Sequence, residues 1–193
     1  MCFFLQGILS FFLINKITKN KQISIICSFF FLIFPPALYR IDLHPALFGH
    51  WILILAIIFI FEKKYNKNIY WTSLLLLTSL IHFYFTIIVL IIFNLINLFN
   101  LISKKISLNK YFLNVFICHI SLIILMYIVG YFEVRVVDTL ALGFSVYKLN
   151  LLSIFDSTNS HLGVSWSWLL PDLKLSEGEE IEGFNFPGLG ILL

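Results

Sequence analysis

The feature that most limits what this chain can fold into is a succession of apolar runs, about 15–20 residues each, broken by short stretches rich in lysine and asparagine. Runs of that length suit helices surrounded by hydrocarbon. A single water-soluble core is a poor alternative, because only 12% of the residues are charged and 60% are hydrophobic, against roughly 25% charged in soluble domains.

The breaks carry the topology. Nine basic residues fall into three short loops: Lys16, Lys19 and Lys21; Lys63, Lys64 and Lys67; Lys104, Lys105 and Lys110. Under the positive-inside rule all three loops are cytoplasmic. Residues 1–132 hold ten Lys and Arg against two acids, whereas residues 133–193 hold three against eight. The two parts therefore face different compartments, and nucleic-acid binding is excluded as the purpose of the basic groups.

Two cytoplasmic loops must be joined by an even number of crossings. The apolar run 69–101 lies between two of them, and its only polar interruption available for a turn is near His82. We therefore expect a helical hairpin with its tip at His82, facing outward. The expected fold is an all-α polytopic membrane protein of about six transmembrane or partly spanning helices, at about 1–14, 23–36, 47–61, 69–81, 83–101 and 111–131. An irregular periplasmic segment, 133–187, follows. Residues 188–193 read as the start of a further transmembrane helix, so the chain reads as a fragment.

Some of these helices are short. A helix over 69–81 reaches only about 20 Å at 1.5 Å per residue, against a hydrocarbon core of roughly 30 Å. Irregular backbone at that depth is tolerated where it lines a wet cavity, which predicts an indented outer-face pocket near Arg40 and His82. Arg40 and Asp42 share one side of an extended segment, and Arg suits bidentate recognition of phosphate or carboxylate. The structural alternatives are an interfacial ion pair for Arg40 with Asp42 and a neutral helix-capping imidazole for His82. His119 and the set Asn94, Asn97 and Asn100 read as interhelical hydrogen-bonding groups. Cys2, Cys27 and Cys118 lack metal-ligand spacing and read as buried thiols, and no metal or cofactor site is expected.

The order of motifs is informative: Pro35-Pro36 with Arg40 and His50-Trp51; Leu80-Ile81-His82-Phe83-Tyr84; Asn150 with Phe155-Asp156; and Glu182-Gly183-Phe184-Asn185-Phe186-Pro187-Gly188. Together they resemble an uncharacterised bacterial family of polytopic membrane proteins related to the GT-C glycosyltransferases. The resemblance implies a multi-pass inner-membrane enzyme that moves a sugar from a polyprenyl-phosphate donor on the outer face. It implies Arg40, His82 and Asn150 as donor-binding groups, Trp166, Trp168, Phe184 and Asn185 as sugar contacts, and Asp42 or Glu182 as candidate catalytic acids. The competing readings are a transporter or flippase, for which an internal repeat is lacking, and a non-catalytic membrane scaffold.

Overall fold

The computed structural model describes residues 1–35, 38, 45–62, 64, 67–133, 151–159, 164–170, 172–173 and 186–187. The chain divides into two compact units: Met1–Phe31 with Gly49–Arg135, and Leu32–Phe48 with Val136–Leu193.

The described residues are predominantly helical. Among the described residues there are six α-helices: α1 (Cys2–Thr18), α2 (Lys21–Leu32), α3 (Trp51–Phe61), α4 (Asn68–Ile81), α5 (Phe83–Ile102) and α6 (Leu108–Ile128). Two of them, α5 and α6, are long and apolar enough to cross a membrane. That corrects the count of about six, because α1 to α4 have 17, 12, 11 and 14 residues and a full crossing takes about 20. The surfaces of α5 and α6 are bare and apolar, with Leu95, Phe99, Phe112, Phe116 and Tyr127 exposed.

Caps move the helix boundaries away from the apolar limits. Asn20 Oδ1 accepts the backbone N–H groups of Gln22 and Ile23 at 3.0 and 3.2 Å, so α2 starts before the apolar run does. Ser107 Oγ accepts the Lys110 N–H and starts α6 three residues early. At its far end Gly130 has φ +85°, with Gly130 N–H on Tyr127 O and Tyr131 N–H on Met126 O. This paired closure, with a left-handed glycine, ends α6 before Tyr131.

In the first unit α4 and α5 run antiparallel. Trp71 and Phe93, placed symmetrically about His82, bring their rings to 6.1 Å. A second reversal lies between α5 and α6, where Asn114 Nδ2 donates to Asn97 Oδ1 at 3.1 Å. Tyr131 then returns to the His82 turn, its hydroxyl donating to Ser79 O at 2.7 Å. Helix α3 joins through Phe59, edge-on to Trp71 at 5.6 Å, and through His50, edge-on to Phe85 at 5.8 Å. Ile52, Ala56, Trp71, Leu75, Val89, Phe93 and Cys118 form the packed centre.

Helices α1 and α2 are tied at both ends by polar groups. Gln6 Nε2 donates to Phe31 O at 2.6 Å, and Thr18 Oγ1 lies 3.4 Å from Ser24 Oγ. His119 departs from expectation, since its Nδ1 lies 2.8 Å from Val115 O of its own helix. Asn94 also bonds within its helix, to Leu90 O. Of the three asparagines, Asn97 is the one with an interhelical bond among the described residues.

The described part of the second unit is small. A 3₁₀ turn, Leu151–Ile154, leads to an antiparallel ladder of two short strands, β1 (Thr158–Asn159) and β2 (Val164–Ser165), with Thr158 opposite Ser165.

Trp71 is 1% exposed and Trp168 is 89% exposed. Trp71→Ala should therefore cost about 3–5 kcal/mol, whereas Trp168→Ala should stay within about 0.5 kcal/mol. Denaturant unfolding in detergent, followed by circular dichroism, measures both.

Candidate functional site

The antiparallel arrangement sorts the ionisable groups of the first unit between two ends. Lys16, at the end of α1, pairs with Glu62, at the end of α3, at 2.5 Å. The Lys104–Lys105 turn follows α5, and Lys105 Nζ sits 5.1 Å from the centre of the Phe99 ring. The opposite end carries His50, His82 and Tyr131. The Lys16–Glu62 pair is solvent-accessible, so it contributes at most about 1 kcal/mol. Its value lies in fixing which helix ends meet.

His82 occupies a single extended residue between α4 and α5, with φ −162° and ψ 135°. Its Nδ1 accepts the Tyr84 N–H at 3.2 Å, which makes Nδ1 the unprotonated nitrogen and the ring the cap of α5. The tautomer places the ring proton on Nε2. His82 belongs to the first unit and Trp166 and Trp168 to the second. Arg40, Asp42, Asn150, Glu182, Phe184 and Asn185 lie outside the described residues.

The second unit holds a carboxyl group that the sequence reading passed over. Asp156 is 2% exposed. Burial raises its pKa above the ordinary carboxylate value; the backbone N–H groups of Thr158 and Leu173 oppose that, and neighbouring Asp172 adds to it. Asp156 Oδ1 accepts the Thr158 N–H at 3.0 Å, a turn that Asp-x-Thr favours because the side chain mimics a backbone carbonyl. Desolvation dominates because the carboxylate loses more hydration than two amides return.

Hydroxyl groups surround this turn. Ser157 Oγ donates to Ser167 O at 3.0 Å, and Trp166 N–H donates to Ser157 O at 2.8 Å. Ser165 Oγ donates to Ser167 O at 2.9 Å, while Ser167 Oγ accepts the Leu169 N–H at 3.1 Å. One short hairpin thus presents a buried acid, four serine and threonine hydroxyls and two accessible indoles, Trp166 and Trp168. A buried carboxyl group whose pKa is raised holds its proton more readily than an exposed one and is a candidate for proton transfer, and an accessible indole offers a flat apolar face to a sugar ring. Among the described residues no group of three or more His, Cys, Asp or Glu side chains is placed to hold a metal ion.

The sequence matches over residues 1–193 the family described as a domain of unknown function, DUF6311. The chain belongs to the DUF6311 family. No curated protein and no solved structure matches it. The DUF6311 assignment covers both units, so the Asp156 hairpin is as much part of the family's domain as the helices. Phe155-Asp156 stood within the motifs that suggested a family. The missing signal was burial, which a lone Asp in a serine-rich loop does not reveal.

The pH dependence follows from the direction of the shift. The native state holds the Asp156 proton more tightly than the unfolded chain does. Its contribution to the stability of the hairpin is therefore fully present below the ordinary carboxylate pKa and is lost as pH rises through the raised value. Asp156→Asn should flatten that dependence, read from pH-resolved thermal unfolding followed by tryptophan fluorescence.

Proposed function

We propose that this DUF6311 chain is part of a multi-pass membrane glycosyltransferase related to the GT-C enzymes, which takes a sugar from a polyprenyl-phosphate donor on the outer face of a bacterial inner membrane. The single observation that supports the reading most is the Asp156 hairpin, which joins a buried acid to two accessible indoles in a chain whose other unit is largely apolar helix.

In this reading α5 and α6 cross the bilayer fully, and α1 to α4 are shorter, partly spanning elements. The gathering of Lys16, Lys104 and Lys105 at the end away from His82 supports a fixed orientation, with the lysines cytoplasmic. Asp156 exchanges a proton with the acceptor hydroxyl or the leaving phosphate. Trp166 and Trp168 stack on the sugar, and His82 keeps the donor-binding role that the family resemblance implies for it. Arg40, Asn150, Phe184 and Asn185 keep their suggested contacts, and Asp42 and Glu182 remain further acidic candidates.

Two measurements test this. A cysteine introduced at His82 should react with an impermeant maleimide from the outer side, while one at Lys105 should react only after permeabilisation; the reverse pattern would invert the topology. In membranes supplied with a polyprenyl-phosphate sugar, Asp156→Asn should lower transfer by about 100-fold or more. Trp168→Ala should act mainly on donor KM. An unchanged transfer rate in Asp156→Asn would remove that carboxyl group from the chemistry.

A further inference from the structure

The lysine end of the first unit contains a cavity of about 740 Å³, lined by α1, α3, the start of α4 and the link between α3 and α4. Its walls change character along the helices. Leu9, Leu13, Leu55 and Ile58 line the part towards the helix centres, and Asn15, Lys16, Glu62 and Lys64 line the part at the helix ends. The change takes seven residues on each of α1 and α3 (Leu9 to Lys16 and Leu55 to Glu62), or about 10 Å of helix. The volume falls within the range of about 300–1,000 Å³ typical of ligand pockets.

We infer that this groove holds an acyl chain of an anionic phospholipid, with the lipid phosphate at Lys16 and Lys64. Three properties of the groove fit that occupant. Its apolar length runs along α1 and α3, where the lining residues Phe12 and Phe61 are exposed and Ile17 of α1 is exposed as well. Its polar end carries two lysines against one glutamate, a net positive charge that complements a phosphodiester. Lys16 is held in place by Glu62, so the positive charge is presented at the end of α1, where the helix dipole is negative and the cation is favoured. A zwitterionic lipid would fill the apolar part equally well, but its own ammonium would oppose the lysines. The groove therefore selects by headgroup and retains by chain. The inference rests on the membrane reading of the first unit and is independent of sugar transfer.

The test is native mass spectrometry of the full chain in detergent, with phosphatidylglycerol or phosphatidylcholine of identical acyl chains. The wild-type chain should retain phosphatidylglycerol in preference. The Lys16→Gln/Lys64→Gln pair should lower that retention by about fivefold per lysine and leave phosphatidylcholine unchanged. The Lys16→Arg/Lys64→Arg pair should keep the preference, and Leu9→Trp, which fills the apolar part, should lower retention of both lipids. Circular dichroism confirms that each variant keeps its helices; should the Gln pair lose them, the Arg pair and Leu9→Trp decide the matter. Equal retention of the two lipids, a preference that survives the Gln pair, or displacement of phosphatidylglycerol by inorganic phosphate would overturn the lipid assignment.

Discussion

Where two helices meet across one residue, the first N–H groups of the second helix have no carbonyl behind them. In apolar surroundings water does not make good the loss. His82 supplies an acceptor from its own ring to the Tyr84 N–H, and the extended conformation at that residue turns α5 back along α4. Every later contact in the first unit depends on this reversal. It sets Trp71 against Phe93, returns Tyr131 to Ser79, and sends Lys104 and Lys105 to the end opposite His82.

The arrangement of these ends was legible because charge and periodicity are properties of the sequence itself. The polar residue at the middle of a long apolar run marked the break at His82, and the lysine-bearing loops marked the ends of helices. Helix lengths were less legible. Asn20, Ser107 and Gly130 each move a boundary by a local hydrogen bond or a left-handed residue, and apolar content alone does not weigh those signals. The expected six helices were transmembrane or partly spanning; two, α5 and α6, are long and apolar enough to cross, and the other four are too short. His119 was misread because a histidine facing a neighbour and one bonded to the carbonyl one turn behind it have the same sequence surroundings.

Asp156 illustrates a different limit. The candidate site residues Arg40, His82, Asn150, Trp166, Trp168, Phe184 and Asn185, with Asp42 and Glu182 as acids, rest on the family resemblance. Asp156 stood among serines and threonines, in a setting that reads as a solvated loop. What distinguishes it is that the 3₁₀ turn before it and the hairpin after it exclude water from its carboxyl group. Burial is a tertiary property, and no pattern of spacing reports it. The two units thus divide the work in kind: one is organised by helix ends and charge, the other by a dense set of short-range hydrogen bonds around one acid.

The polar ties between α1 and α2 have a further consequence. Apolar side chains attract one another in water because water expels them, and that attraction disappears between helices already surrounded by hydrocarbon. Hydrogen bonds such as that from Gln6 to Phe31 behave in the opposite way, since water competes for both partners and lipid does not. The α1–α2 pair is therefore a joint whose strength depends on its solvent: weaker in water, and firmer in an apolar medium.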